Sequence, residues 1–293
     1  MFCYIILHYK VLEETISCVK SIKEGNSNAK QIVIIDNFSN NGTGEKLQEL
    51  YESDSEIDVL INHENAGFAR GNNVAYQFAK EKYNPNFMVI MNNDIEIETE
   101  DFEKIVTDIY REEKFHLLGP DIFSTTYQLH QNPKRLTHYT YEEVKALNEK
   151  FKKGSQVSIA LKIKCWLKAS KVLRTAIYQN RRKKGSVDYR KQVENPILHG
   201  SFIVYSRDFI EKEEYAFNPN TFFYYETEIL DYEAELKGYK RIYTPKIKVL
   251  HHQNVATNQV YTNLVEKTLF SNKCNFESTS YFLTLMEKNK ISR

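Results

Sequence analysis

No stretch of this chain constrains its fold more than Phe87 to Glu98, which reads FMVIMNNDIEIE. Five apolar residues, Phe87 to Met91, run without alternation, as in a strand covered on both faces, and the run breaks at once into Asn92, Asn93 and Asp94. Such a strand belongs to a sheet with helices on each side, and in open α/β sheets ligands gather at the carboxyl ends of the strands. One carboxylate beside two amides can hold a hard divalent cation through oxygen and leave positions for phosphate oxygens. The same residue types also favour an Asx turn with no ligand at all.

The preceding sequence supplies the rest of a sheet. Phe2 to Leu7 is apolar, Glu13 to Ile22 carries Ile16, Val19 and Ile22 at helical spacing, and Gln31 to Ile35 is apolar again, ending at Asp36. This βαβ pattern predicts parallel strands with right-handed crossovers. A polar loop, Asn37 to Thr43, then opens a helix through Lys46 to Leu50. A third strand, Ile57 to Ile61, leads into Asn62 to Asn73, where Gly67, Gly71 and Arg70 precede a helix reaching Tyr83. Backbone amides, a helix N-terminus and a guanidinium are expected to converge on an anion there, although a glycine-containing turn needs no ligand. The segment is not the GxGxxG dinucleotide fingerprint, and no acidic residue follows about 20 positions on. Three strands would thus end in polar clusters along one edge: Asp36, Asn65 to Asn73, and Asn92 to Asp94.

In combination, Ile35-Asp36-Asn37, the segment Asn65-Ala66-Gly67-Phe68-Ala69-Arg70-Gly71-Asn72-Asn73 and Met91-Asn92-Asn93-Asp94 resemble the family-2 glycosyltransferases of GT-A fold. The resemblance covers most of Met1 to Pro120 and resumes after Pro196. It implies that Asp36 contacts the nucleotide base and that Asn65, Gly67 and Arg70 lie beside a nucleotide-sugar. Asn92 and Asn93 are expected at the same donor, with Asp94 binding Mn²⁺ or Mg²⁺ on its diphosphate. Asn92 stands where the motif usually has its first Asp. His8-Tyr9-Lys10 likewise replaces the usual polar-Tyr-Asn ending of the first strand.

The second half repeats the pattern. His199-Gly200-Ser201 leads an apolar strand, Phe202 to Tyr205, and the resemblance puts Gly200 near the transferred sugar. Phe222 to Tyr225 are four consecutive aromatics ahead of Glu226-Thr227-Glu228, which suggests sugar-stacking faces beside an acid or base. A packed aromatic strand feeding a helix whose first turn favours Glu would look the same. The family's motif offers two adjacent carboxylates; Thr227 holds the second place and is too weak a base near pH 7, which leaves Glu226 or Glu228 as catalytic base. Asp231, Glu233 and Glu235 are expected on a solvated helix face. Tyr243 to Leu250 reads as a further strand running into His251, which the resemblance makes a second metal ligand, with His252 at a variable position.

Charge is segregated. Lys150 to Lys184 holds twelve Lys or Arg and no Asp or Glu, so in a chain of net charge +1 the remainder sums to −11. Ile159, Ile163, Trp166, Leu173 and Ile177 give this run an apolar stripe, which suits a helix on an anionic membrane surface or one docked on the acidic remainder. No nucleic-acid recognition module accompanies the charge. With 293 residues, 41% hydrophobic and 27% charged, the chain can bury a sizeable core, and disordered and fibrous classes are excluded. No apolar run approaches the ~18 residues of a membrane span, and Met1 to Tyr9 lacks a signal-peptide pattern, so a cytoplasmic protein is expected, peripheral on the inner face of the membrane. Cys3, Cys18, Cys165 and Cys274 have no paired spacing and are expected to be reduced.

The expected organisation is an α/β, GT-A-like mixed sheet: residues 1–120 binding the nucleotide-sugar, 121–195 a basic helical insertion, 196–260 the acceptor and catalytic half, and 261–293 a helical tail. The expected activity is inverting, metal-dependent transfer of a hexosyl or rhamnosyl unit from a UDP- or dTDP-sugar to a lipid-linked acceptor in cell-surface polysaccharide synthesis. The alternatives are a sugar nucleotidyltransferase, for which a basic glycine-rich loop after the first strand is missing, and an inactive nucleotide-sugar-binding subunit, suggested by Thr227.

Overall fold

The computed structural model describes residues 1–25, 30–156, 187–252 and 264–291. Its centre is a ten-stranded sheet. Strands β1 (Phe2–His8), β2 (Lys30–Asp36), β3 (Ile57–Ile61) and β4 (Phe87–Asn92) alternate with helices α1 (Leu12–Gly25), α2 (Thr43–Tyr51) and α3 (Gly67–Tyr83). All four strands are parallel, in the order β3-β2-β1-β4. Beyond β4 the sheet is mixed. A short β5 (Ile95–Ile97) and α4 (Phe102–Glu113) precede β6 (Leu117–Ser124) and β7 (Leu129–His130), and after α5 (Tyr141–Gly154) come β8 (Val193–Glu194) and β9 (Phe202–Ser206). Helix α6 (Arg207–Lys212), α7 (Glu226–Leu236), β10 (Arg241–His251) and α8 (Leu264–Ile291) complete the order. β9 lies antiparallel between β4 and β6, and β10 runs parallel to β6 with β5 antiparallel on its far side.

Alternation along the strands builds the two faces. Phe2, Tyr4 and Ile6 join Ile32, Ile34, Val89 and Met91 on one side with Cys18, Val19 and Phe102. Cys3, Ile5, Val33, Ile35 and Ile90 face the other, packed on Tyr76, Phe209 and Leu230. Cys3, Cys18 and Cys274 are buried free thiols, as expected of the first two, whereas Cys165 lies outside the described residues.

Elements and packing of the structure cross two of the expected boundaries. The break at residue 120 falls inside β6, because Gly119-Pro120 is part of a strand rather than a turn. Pro120 has no N–H to give to a ladder, and the register with β10 slips at that point, from Thr244 opposite Pro120 to Lys248 opposite Asp121. Residues 121–195 therefore contain the second half of β6, β7, α5 and β8; most of the basic stripe, including Trp166, lies outside the described residues. The C-terminal segment is helical, and Phe282 and Met286 of α8 share a core with Val144, Tyr225 and Ile229. Helices α5 and α8 thus brace the start of α7. Among the described residues, no helix is long and apolar enough to cross a membrane.

Candidate active site

The sheet register brings the polar strand ends together. His8 pairs with Asp36, Leu7 with Asn92, and Asp36 with Ile61, so the ends of four parallel strands share one edge. On the other side of β4, the Asn92 N–H donates to the Ser201 carbonyl (3.0 Å), which sets His199-Gly200-Ser201 beside the Asn92–Asp94 turn. A Cβ at Gly200 would stand 3.0 Å from Thr227 Cγ2, so this loop also touches the acidic motif at the start of α7. The strand edge from Asp36 to Asp94 is therefore continuous with the His199–Ser201 loop, which in turn meets the start of α7 at Thr227.

At its centre Asp94 faces His251. The Asp94 carbonyl accepts the His252 N–H (3.0 Å), which ties the turn to the end of β10, and His251 Nε2 lies 3.2 Å from Asp94 Oδ1. His251 Nδ1 is 2.8 Å from Gln131 Oε1, an oxygen that can only accept, so Nδ1 carries the proton. In the neutral ring Nε2 is then a bare lone pair aimed at a carboxylate oxygen that is buried and has no hydrogen-bond partner. Two facing lone pairs call for a proton or a cation between them. The pair fits a divalent cation, with Gln131 orienting the imidazole from behind. Among the described residues no three His, Cys, Asp or Glu side chains converge on one point, so other ligands would have to come from substrate or water. His252 is occupied elsewhere, by Glu96 and Thr125.

The amides turn out otherwise. Asn93 points back into the protein and donates to Thr15 Oγ1 (3.0 Å) and the Val11 carbonyl (3.5 Å), so it fixes the turn rather than facing a donor. Asn92, half-buried, remains at the strand end. The N–H groups expected to cradle an anion at the start of α3 are already bonded: Ala66 to Asn37 Oδ1, Gly67 to Asn65 Oδ1, and Phe68 to the Phe222 carbonyl. Asn65 thus closes an Asx turn, and Gly67 is required there because its φ is +76° and a Cβ would sit 2.3 Å from the Phe222 oxygen. Asn73 likewise staples α3 to Ala216 and Phe217. Exposed Arg70 spends its Nε on the Pro219 carbonyl (2.8 Å).

Asp36 is buried and accepts from the hydroxyl and N–H of Ser39, and burial raises its pKa. Beneath it runs a chain that includes His8, the residue that departs from the family's usual strand ending. Thr43 donates to Asn41 Oδ1 (2.6 Å) and so accepts from His8 Nε2 (2.9 Å), while His8 Nδ1 meets Thr15 Oγ1 (2.7 Å), the same oxygen that receives Asn93. Burial pushes the His8 pKa from 6.5 down to about 4, so the ring is neutral in the folded protein. An unfolded chain takes up a proton at His8 that the folded one refuses, so stability rises with pH in that window. We expect His8 to contribute stability that is fully present above pH 6.5 and lost as pH falls towards 4; chemical denaturation across this range should show a shallower pH slope in His8→Asn.

The two candidate carboxylates differ sharply. Glu228 is 2.6 Å from Lys134 Nζ and accepts the Thr227 hydroxyl (3.1 Å). Glu226 is buried with one oxygen, Oε1, lacking any partner, and burial pushes its pKa from 4.5 to about 7. The aromatic approach is strained, since Tyr224 and Tyr225 both have positive φ (72° and 65°), rare for bulky residues. Phe222 and Tyr224 are exposed. Of the helix face that follows, Glu235 is exposed as expected and Asp231 is not: buried Asp231 meets buried Arg241 at 3.1 Å, Glu235 takes the same guanidinium (2.6 Å), and half-buried Glu233 takes Asn218 (2.7 Å). A cavity of about 320 Å³ between α6 and α7 includes none of Asp36, Asp94, Glu226 or His251 and stands apart from this chemistry.

Sequence reasoning missed Gln131 and Lys134. Both come from the segment after β6, where no motif or periodicity marks them.

A mixed sheet with parallel strand ends at its acidic edge, a short antiparallel β5 and an acidic helix start is the GT-A glycosyltransferase fold. The chain belongs to glycosyl transferase family 2, whose model matches residues 3–214. Among solved structures it is similar to GalNAc-T7 with UDP, GalNAc and Mn²⁺ (13% identity, TM-score 0.55, covering 87% of this chain and 43% of that one). It is also similar to S. aureus TarS 1–349 in complex with UDP (12% identity, TM-score 0.52, covering 92% and 64%). A third likeness is to the mannosyltransferase PcManGT from Pyrobaculum calidifontis with GDP-Man and Mn²⁺ (12% identity, TM-score 0.53, covering 96% and 69%). The chain thus spans less than two thirds of the length of the first two. No curated protein sequence matches it.

Proposed function

We propose that this chain is a metal-dependent glycosyltransferase that moves a sugar from a nucleoside-diphosphate sugar to a glycan acceptor with inversion at the anomeric carbon. The observation that carries the reading is the buried Asp94 oxygen facing His251 Nε2 at 3.2 Å, linked through the Gly200 loop to the start of α7, where Glu226 has one oxygen without a partner. A divalent cation held by Asp94 and His251, Mn²⁺ or Mg²⁺, would neutralise charge on the leaving diphosphate. Glu226 would take the proton of the acceptor hydroxyl as that oxygen bonds to the anomeric carbon. The bond from that carbon to phosphate breaks, and its electron pair leaves with the nucleoside diphosphate. A base with a pKa near 7 suits this task at neutral pH.

Asp36 at the β2 end is the candidate contact for the base of a UDP- or dTDP-sugar. The UDP and GDP-Man in the similar structures support a nucleotide donor, and their Mn²⁺ supports the metal. Stabilisation of the protein in Mn²⁺ by one member of a panel of UDP-, GDP- and dTDP-sugars would support the reading; failure of every donor to raise the melting temperature would count against it.

The acceptor reading rests on charge. Twelve cations without an acidic residue in Lys150–Lys184 favour an anionic membrane surface and hence a lipid-linked acceptor on its cytoplasmic face, in cell-surface polysaccharide synthesis. Co-sedimentation with anionic vesicles at low salt, lost as salt rises, is expected; no binding at low salt would remove the membrane from the account.

A further inference from the structure

We propose that Lys134 is a positioning residue for the acidic motif: its ammonium holds Glu228 and Thr227 to one side and leaves Glu226 as the single carboxylate free to accept a proton. The inference rests on the reading of Glu226 as the base. It starts from how firmly Lys134 is placed. Its N–H donates to the Ile197 carbonyl (2.9 Å), and the Ile197 N–H donates back to the Arg135 carbonyl (2.8 Å), a bridge between two otherwise irregular segments. Next to it Asn132 reaches in both directions, giving its Nδ2 to the Pro120 carbonyl (2.7 Å) and accepting the His199 N–H on Oδ1 (2.9 Å). The backbone of Lys134 is therefore pinned to the same short stretch that ends in Gly200.

From that anchor the side chain crosses to the start of α7. Nζ sits 2.6 Å from Glu228 Oε1 and 3.4 Å from Thr227 Oγ1, and the Thr227 hydroxyl donates in turn to Glu228 Oε2. Both oxygens of Glu228 are thereby engaged, and its side chain is 5% exposed while that of Lys134 is 39% exposed. Desolvation of Nζ at the contact works against the charge on Lys134, but Glu228, with Tyr139 and Glu226 adding to it, raises its pKa and keeps the ammonium protonated. Thr227, which cannot act as a base, thus has a use: it completes the clamp on Glu228.

Among the described residues, the ionisable groups that bear on Glu226 include Glu228 and Tyr224 from its own stretch, Lys134 from the loop after β7, and Cys274 from α8. Of these Lys134 is the cation, and it pulls the Glu226 pKa down against the larger upward push of burial. Without it, two neighbouring carboxylates would share the motif with no counter-charge from this group.

The test is carbon NMR of the whole protein carrying ¹³C-carboxyl glutamate, with the Glu226 signal assigned by its loss in Glu226→Gln. In Lys134→Met the Glu226 titration should move to higher pH than in the unaltered protein, and Lys134→Arg should bring it back. Lys134→Gln keeps a donor for Glu228 without the charge, offers a second folded variant, and should behave as Lys134→Met does. An unchanged Glu226 midpoint in folded Lys134→Met or Lys134→Gln would overturn the proposal. Failure of the base reading is distinguishable: Glu226→Gln would then retain full turnover, whatever the titration shows.

Discussion

Asp94→Ala should lose metal-dependent donor binding, with affinity for a nucleotide-sugar in Mn²⁺ falling by on the order of 10²-fold or more, since the charge stabilisation a bound cation supplies is several kcal/mol. The magnitude follows from how little protein would hold the proposed cation. Asp94 and His251 are the two side chains facing each other at the strand edge, so a methyl group in place of the carboxylate would remove one of the two proposed ligands and the pair's negative charge. Affinity measured by calorimetry with and without Mn²⁺ separates the two contributions: the metal-dependent increment should vanish and the metal-free affinity persist. Folding should survive, because the substitution alters a side chain at the strand edge and leaves the backbone bond from the His252 N–H to the residue 94 carbonyl in place. Donor affinity in Mn²⁺ equal to that of the unaltered protein would remove Asp94 from the metal site.

Glu226→Gln should lower kcat by roughly 10²–10⁴-fold with donor affinity near that of the unaltered protein, as expected on loss of a general base. The amide is isosteric, so the buried position stays filled while its proton-accepting capacity is gone. The pH dependence gives a second signature. Burial places the Glu226 pKa at about 7, so activity should be half-developed near that pH and fall about tenfold for each pH unit below it. The residual activity of Glu226→Gln should lack this acid limb. Glu228→Gln is expected to act differently, by releasing Lys134 from its 2.6 Å ion pair and loosening the start of α7 rather than by removing a base. Full turnover in Glu226→Gln would exclude it as the base.

Strand ends are the legible part of this protein. Asp36, Asn92 and Asp94 can be read because an unbroken apolar run stopping in polar residues has one physical meaning in a buried sheet, and parallel register then aligns those stops. What the side chains do at those stops is less legible. Asn93 and Asn65 satisfy neighbouring backbone and hydroxyl groups, and the N–H groups of Ala66 to Phe68 are consumed by Asn37, Asn65 and Phe222. Partners as remote in the chain as Phe222 are announced by nothing local. Gln131 and Lys134 are invisible for the same reason: their partners, His251 and Glu228, belong to elements far along the chain, the end of β10 and the start of α7. Pro120 misleads because it breaks most strands, whereas here the bulge of β10 accommodates it. The acidic face of α7 misleads because its neutralising cation, Arg241, belongs to the next strand.

The most direct measurement is release of nucleoside diphosphate from a panel of UDP-, GDP- and dTDP-sugars by the purified protein in Mn²⁺, run beside a chelator control and Asp94→Ala. The account predicts turnover of at least one donor that is abolished by chelation and by Asp94→Ala alike. Turnover that survives both, or no release from any donor by protein that binds one of them, would contradict it.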